Sequence, residues 1–455
     1  MGKSGLSRRK LVVSQLNMSR KIEVKEGISL KPDQGYLEET ISPFTPFTAT
    51  EEASRCLLCY DAPCSIACPA DTNPGDFIRA IRFRNFKGAA EIIRENNILG
   101  GICGRVCPFE KTCEGACVKT GIDKPIQIGR LQRFATDYEK ATGFQVLEPV
   151  ELSKEKVAMI GGGPASLAAS AALAQEGYPV TIFEEREKPG GVLTYGIVPA
   201  RLPLYVVDEE IDYVRKLGVD FVCNTRVGRD ISLDDLREQG FKAILIGAGM
   251  QKAIKLDVPG KDLKGITTAM EYLSKAKTTK GNIDPGKYVV VIGCGDVAMD
   301  CAITARLLGA EKVTIMYRRT REEAPANRAE LLYCESLGIN FLFTFTPIEF
   351  VGEAGQVKSV KGAGSRDTSS IEIQADTAIY AIGQRPQDLS AVLSEISFDD
   401  KYYIMSDGNG ITSTSDIFVA GDIDSSSNKT VVDAVAAGKK AAKSIKKYLE
   451  ERGGN

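Results

Sequence analysis

Twelve cysteines and no histidine set the chemistry open to this chain of 455 residues. Without histidine, the Ser-His-Asp triad, the Cys-His dyad and every His-ligated zinc or haem site are excluded. The cysteines are unevenly spread. Cys56, Cys59, Cys64, Cys68, Cys103, Cys107, Cys113 and Cys117 crowd into one stretch, whereas Cys223, Cys294, Cys301 and Cys334 are scattered. With no signal peptide, a reducing compartment is expected, where clustered thiols bind metal more often than they form disulfides. In Cys56-x2-Cys59-x4-Cys64-x3-Cys68-Pro69, three close thiolates suit one iron–sulfur cluster and the fourth, before proline, suits another. Cys103, Cys107, Cys113 and Cys117 supply the remaining thiolates for two 4Fe-4S clusters. Paired structural zinc ribbons are the competing reading, but they use two C-x2-C knuckles and only one occurs here. A redox disulfide between Cys294 and Cys301 has no C-x2-C to support it, and both read as small packing residues.

Two glycine turns carry the second signal. The apolar run 156–160 leads into Gly161-Gly162-Gly163-Pro164-Ala165-Ser166 and an apolar helix. Glycines there let the backbone turn tightly beside a pyrophosphate, whose charge sits at the helix N-terminus. The next strand, 180–183, ends at Glu184, where an acid binds a ribose hydroxyl. The second turn, Gly293-Cys294-Gly295-Asp296-Val297-Ala298, follows the strand 288–292, and its ribose strand 312–317 ends at Arg318-Arg319. Arginines in that place suit the 2′-phosphate of NADP, the alternative being a solvated basic pair. Downstream, Asp416-Ile417-Phe418-Val419-Ala420-Gly421-Asp422 before a helix near Thr430 resembles the flavin-closing motif of two-dinucleotide flavoprotein oxidoreductases. That resemblance assigns FAD to the first turn and NADP to the second.

Several elements must position these groups. Asp71-Thr72-Asn73-Pro74 reads as a capped helix start, and Phe77, Ile78, Ile81, Ala89, Ile92 and Ile93 recur at helical spacing, so the cysteine region is expected to be a small helical domain. The length suggests about three domains. The 58 basic and 60 acidic side chains leave a net charge of -2, which argues against nucleic-acid binding, and no apolar run is long enough to span a bilayer. A cytoplasmic protein is expected. The organisation predicted is an arm over 1–50, an iron–sulfur domain over 51–145, a first FAD-binding part over 151–286, an NADP(H)-binding domain over 287–374 and a second FAD-binding part over 375–455. The fold class is an α/β two-dinucleotide-binding flavoprotein with tandem Rossmann-like domains and an N-terminal α-helical iron–sulfur domain.

From about Pro43 to Leu449 the chain resembles the NAD(P)H-oxidising module of the dihydropyrimidine dehydrogenase family, which bacteria carry as a separate subunit. The resemblance rests on Cys56-Leu57-Leu58-Cys59-Tyr60-Asp61-Ala62-Pro63-Cys64, Arg84-Asn85-Phe86, Ile128-Gly129-Arg130-Leu131-Gln132-Arg133-Phe134 and Gly295-Asp296-Val297-Ala298-Met299-Asp300. It implies Cys56, Cys59, Cys64 and Cys117 as ligands of one cluster, and Cys68, Cys107, Cys113 and Gln132 as ligands of the other, with Cys103 spare. Gln132 would be an unusual iron ligand and would shift that cluster's potential. Expected FAD contacts are Gly161, Gly163, Pro164, Ala165, Ser166, Glu184, Gly190, Gly191, Arg201, Val227, Gly421, Asp422, Thr430 and Val431. Expected NADP contacts are Gly293, Gly295, Asp296, Val297, Arg318, Arg319, Ala381 and Gly383, although the separate bacterial subunit is commonly NADH-linked. No side chain need be catalytic, because hydride passes between the two cofactors. The resemblance further implies a partner subunit holding FMN and iron–sulfur centres, at which uracil or thymine is interconverted with its 5,6-dihydro form. The alternatives are the small subunit of NADPH-dependent glutamate synthase, a ferredoxin-linked transhydrogenase subunit, and a redox sensor or scaffold without turnover.

Overall fold

The computed structural model describes residues 32–453. Of the arm expected over 1–50, residues 1–31 therefore lie outside the described part. Its remainder is a strap. Tyr36, on the short helix Pro32–Leu37, is buried in the core of the nucleotide unit. Three residues on, Glu39 pairs with Arg105 (2.9 Å) and Arg133 (2.6 Å) of the cysteine module, and the Thr40 N–H donates to Ala200 O (2.9 Å) of the flavin unit.

The cysteine module is built from the helices Pro46–Ser54, Pro74–Arg82, Phe86–Asn96, Gly100–Val106 and Ile128–Thr142. Phe77, Ile78, Ile81, Ala89 and Ile93 fall on their inner faces and form one core with Leu131, Phe134 and Ala135, each large side chain contributing about 1.5–3 kcal/mol by leaving water. Ile92 lies at its margin. The helix start expected at Asn73 is present, but the cap is made differently. Asn73 is left-handed (φ 55°) and gives its amide to Asp76, while the Gly75 N–H donates to Ser65 Oγ (3.0 Å). Gly104 lets two helices meet closely, since a Cβ there would lie 2.8 Å from Arg133 N. Buried Arg94 joins this module to the flavin unit, reaching Glu139 (2.7 Å) and Glu210 (2.6 Å), so neither carboxylate is left unpaired.

The flavin unit is a five-stranded parallel sheet in the spatial order Ile417–Val419, Phe241–Ile246, Lys156–Ile160, Val180–Phe183, Asp220–Val222. Its edge strand thus comes from far downstream. The helix Pro164–Gln175 packs against Val431–Gly453 so tightly that a Cβ on Gly438 would lie 2.1 Å from Ala165 O. The nucleotide unit is a second five-stranded parallel sheet, ordered Ile266–Thr268, Thr377–Tyr380, Tyr288–Ile292, Lys312–Tyr317, Asn340–Phe343, with the antiparallel strands Phe345–Glu353, Gln356–Gly364 and Ser370–Gln374 beside it. This corrects the expected boundaries at 287 and 374. Tyr288–Ile292 is completed by Thr377–Tyr380, which in turn pairs with Ile266–Thr268, so the unit extends past both limits. The two chain crossings between units pair as a short ribbon, Lys252–Ala253 against Gln384–Arg385. Among the described residues no helix is long and apolar enough to cross a membrane.

Candidate functional site

The strand Lys156–Ile160 delivers the first glycine turn to the mouth of the flavin sheet. Gly161 has φ +94°, and a Cβ on it would lie 2.8 Å from Gly247 O. Gly163 caps the following helix without a side-chain bond, leaving the first backbone N–H groups free for an anion. The carboxylate of Glu184 is held from both sides, accepting from the Gly162 N–H (2.7 Å) and the Arg186 N–H (2.9 Å). Burial raises its pKa and these two donors oppose the rise. Asp422 is pushed up to about 6, chiefly by burial, while Lys429 pulls it back. The Lys429 ammonium also donates to Asp422 O (2.8 Å), shaping the loop that faces Gly161.

These groups wall a cavity of about 450 Å³. It is lined by Gly161, Gly163, Pro164, Ala165, Glu184, Gly191, Arg201, Val227, Gly421, Asp422, Thr430 and Val431, all expected at an FAD site. Its other wall is Asp296, Val297, Asn327 and Glu330 of the nucleotide unit, and at one end it reaches Cys107, Pro108 and Lys111 of the cysteine module. Two expected contacts stand behind the wall instead. Ser166 is fully buried against Gly247, where a Cβ would come within 2.2 Å of its Oγ, and Gly190 shapes the turn by giving its N–H to Gly162 O (2.7 Å).

At the second turn, Gly293 (φ +126°) lies against Ala381, whose oxygen would sit 2.2 Å from a Cβ. Gly383 is also left-handed (φ +110°), and Gly295 caps the helix Asp296–Leu307. Asp296 Oδ1 accepts from the Asn327 N–H (2.9 Å), so its carboxylate is partly engaged. Arg318 and Arg319 are exposed, lack an ion-pair partner among the described residues and do not line the cavity. Arg321 is tied to Glu335.

Cys56, Cys59, Cys64 and Cys117 line one small cavity with Leu57, Val118 and Ile126. Burial raises Cys64 to about 11, with Cys56 and Cys117 adding to the rise. Cys107 is raised as well, through a hydrogen bond with Cys103, burial, and the nearby Cys113 and Cys68. Cys103, the expected spare, therefore stands beside the second group. Gln132, on the facing helix, donates its amide to Gly100 O (2.8 Å). Among the described residues no three cysteine or carboxylate side chains converge at single-ion distance.

One buried group escaped the sequence reading, and one expected residue has a second task. Lys277 donates to Leu193 O (2.7 Å), Ile197 O (2.6 Å) and Leu202 O (3.2 Å), pinning the loop that floors the cavity. Burial lowers its pKa to about 7, and Asp300 opposes the fall. Arg201, expected to touch FAD, lines the cavity and also spans the units, binding Asp300 (2.8 Å) and Glu330 (2.5 Å). Ala269, Leu273 and Ala276 put Lys277 on the buried helix face, a periodicity that flags it. Nothing local flags the partners of Arg201.

The family model described as dihydropyrimidine dehydrogenase domain II, 4Fe-4S cluster, matches residues 33–144, and that of the pyridine nucleotide-disulphide oxidoreductases matches residues 155–438. The NAD-dependent dihydropyrimidine dehydrogenase subunit PreT of Salmonella typhimurium is 44% identical over 420 residues, covering 92% of this chain and 99% of that protein. The small chain of glutamate synthase [NADPH] from Escherichia coli is 32% identical, covering 90% of this chain and 94% of its own. The solved structure of Mycobacterium tuberculosis FprA in complex with NADPH shares the fold, with a TM-score of 0.56 at 18% identity over 66% of this chain and 86% of that one.

Proposed function

This chain belongs to the pyridine nucleotide-disulphide oxidoreductases and, within them, to the dihydropyrimidine dehydrogenase subunits, and we propose that it is the electron-input subunit that oxidises NADH on behalf of a pyrimidine-reducing partner. The observation that carries this reading is one cavity that joins the first glycine turn to Asp296 and Val297, which follow the second, and to Cys107. When bound, nicotinamide and flavin supply the hydride transfer and the iron–sulfur clusters supply one-electron steps.

The residues present fit those groups. The free N–H groups after Gly163 bind a pyrophosphate, and Glu184, fixed by two backbone donors, accepts from ribose hydroxyls. Val192, Ile197 and Met270 exclude water between the units. Cys56, Cys59, Cys64 and Cys117 hold one cluster. Cys68, Cys107 and Cys113, with Gln132 as fourth ligand, would hold the other, which through Cys107 adjoins the end of the cavity. Arg318 and Arg319, exposed and without an ion-pair partner among the described residues, leave room for a 2′-phosphate without requiring one, in keeping with the NAD-dependent name of the relative. The partner is a catalytic subunit containing FMN and iron–sulfur centres, and it reduces uracil or thymine reversibly.

The test is nucleotide oxidation by the complex purified anaerobically from its native cells. Uracil should sustain NADH oxidation, with NADPH poorer. Oxidation sustained by glutamine plus 2-oxoglutarate, and not by uracil, would assign the chain to the glutamate synthase branch instead.

A further inference from the structure

The last helix, Val431–Gly453, ties the flavin cavity to the cysteine module. Its first turn lines the cavity through Val431 and Ala434. Lys439 lies about 12 Å further along the axis from Val431, at ~1.5 Å per residue, and meets the module instead. Gly438 fixes that position. A Cβ there would lie 2.1 Å from Ala165 O, so the helix is pressed against its neighbour one residue before the lysine. The Lys439 ammonium donates to Ala70 O (2.7 Å) and Asn96 O (2.6 Å). Asn96 ends the helix Phe86–Asn96, whose last carbonyls have no partner within the helix, and a cation is favoured at that end. Ala70 belongs to the turn Cys68-Pro69-Ala70-Asp71, which the Asp71 N–H closes by donating to Cys68 O (3.1 Å). One ammonium thus fixes the Cys68 turn to the end of a core helix of the module.

The charge of Lys439 is not cancelled at contact. Both of its hydrogen bonds go to neutral carbonyls, and it forms no ion pair among the described residues. The titratable groups that act on it through space are Asp71, which is exposed, Lys443 and Cys68 itself. Removing the charge is a difference and has one sign whatever other charges the site holds, Glu114 beside Cys113 included.

We propose that Lys439 is a positioning residue for the second thiol group: it clamps the turn that presents Cys68 and holds a positive charge beside it, which raises the reduction potential of the centre bound there. A nearby cation stabilises the form that carries the extra electron, and more strongly where water is scarce. The role depends on Cys68 being a ligand, as proposed above. It is a task set from outside the cysteine module, since the lysine belongs to the part of the flavin unit that is made last.

The experiment is a potentiometric titration of the loaded full chain, purified anaerobically and followed by electron paramagnetic resonance, with iron counted for every variant. Cys68→Ala identifies the signal of the second group, which it should remove. Lys439→Arg keeps the charge and should leave the midpoint of that signal at the parent value. Lys439→Gln is neutral but can still donate to Ala70 O. It should keep the full iron content and lower the midpoint by the equivalent of about threefold to tenfold in the reduction equilibrium, or ~30–60 mV for one electron. The signal of the Cys56 group should move less. Lys439→Met removes donor and charge together and should lower the iron content as well as the midpoint. An unmoved midpoint in Lys439→Gln with its iron retained would overturn the proposal. Loss of the second group's iron in Lys439→Gln would overturn it too, leaving a structural clamp alone. Survival of both signals in Cys68→Ala would instead bring down the ligand reading, whatever the Lys439 variants show.

Discussion

At the scale of single residues, the second cluster turns on one amide. Gln132 has its nitrogen committed to Gly100 O, which leaves Oε1 without an intramolecular donor among the described residues, while Cys103 offers a thiol beside Cys107. If the glutamine is the fourth ligand, Gln132→Ala should lower iron from about eight atoms per chain toward about four, whereas Cys103→Ala should keep the full complement. Iron analysis of the two variants decides, and the opposite pattern would make Cys103 the ligand. The sequence made the glycines and cysteines of the site readable because their work is local: a turn needs glycine where φ is positive, and thiolates at short spacings can share a centre. It could not show Arg201 holding Asp300 and Glu330, since those partners are 99 and 129 residues away and ordinary in context. Asn73 illustrates a finer failure. Its type announced a helix start, yet the left-handed backbone turned its side chain elsewhere and Ser65, on the short helix Pro63–Ile66, took over part of its task.

Helices and strands place these residues, and the contact between Gly100–Val106 and Ile128–Thr142 is a close constraint on the cysteine module. Gly104 allows it, because a Cβ would come 2.8 Å from Arg133 N and 3.1 Å from Gly129 O, both rigid backbone atoms. The first helix carries Cys103 and leads to Cys107, and the second carries Gln132, so any separation moves the proposed ligands Cys107 and Gln132 apart. Gly104→Ala is therefore expected to halve iron content by emptying the second site while leaving the Cys56 group filled. The check is iron per chain together with the spectroscopic signature of the remaining cluster, and two intact clusters would show that the helices can yield. Strand pairing accounts for the boundary that sequence reading misplaced. Ile266–Thr268 is three residues long, and only its pairing with Thr377–Tyr380, more than a hundred residues later, assigns it to the nucleotide sheet. Local pattern carries no such information.

Across the whole molecule, the flavin and nucleotide units are fastened by buried charge. Arg201 faces two carboxylates, Asp300 and Glu330, both raised by burial, Glu330 to about 7, and both drawn down by the guanidinium. In Arg201→Met the folded-state values rise further above those of the unfolded chain. Below the unfolded carboxyl range both states are protonated and the change costs little. As pH climbs, the unfolded chain ionises first and the folded form is penalised increasingly. The stability deficit of the variant should thus be small near pH 5 and widen toward pH 8, approaching about 3–5 kcal/mol. Thermal midpoints of variant and parent at the two pH values test it, and a constant offset would mean that Arg201 acts by packing alone. The sheet order has a different consequence, one that belongs to synthesis on the ribosome. The edge strand Ile417–Val419 and the loop at Gly421 complete the flavin site, yet they emerge only after every strand of the nucleotide unit. The nascent chain must carry an open sheet edge through the making of an entire second domain, so the inserted domain can fold before its host, and flavin capture becomes a late event that seals the molecule.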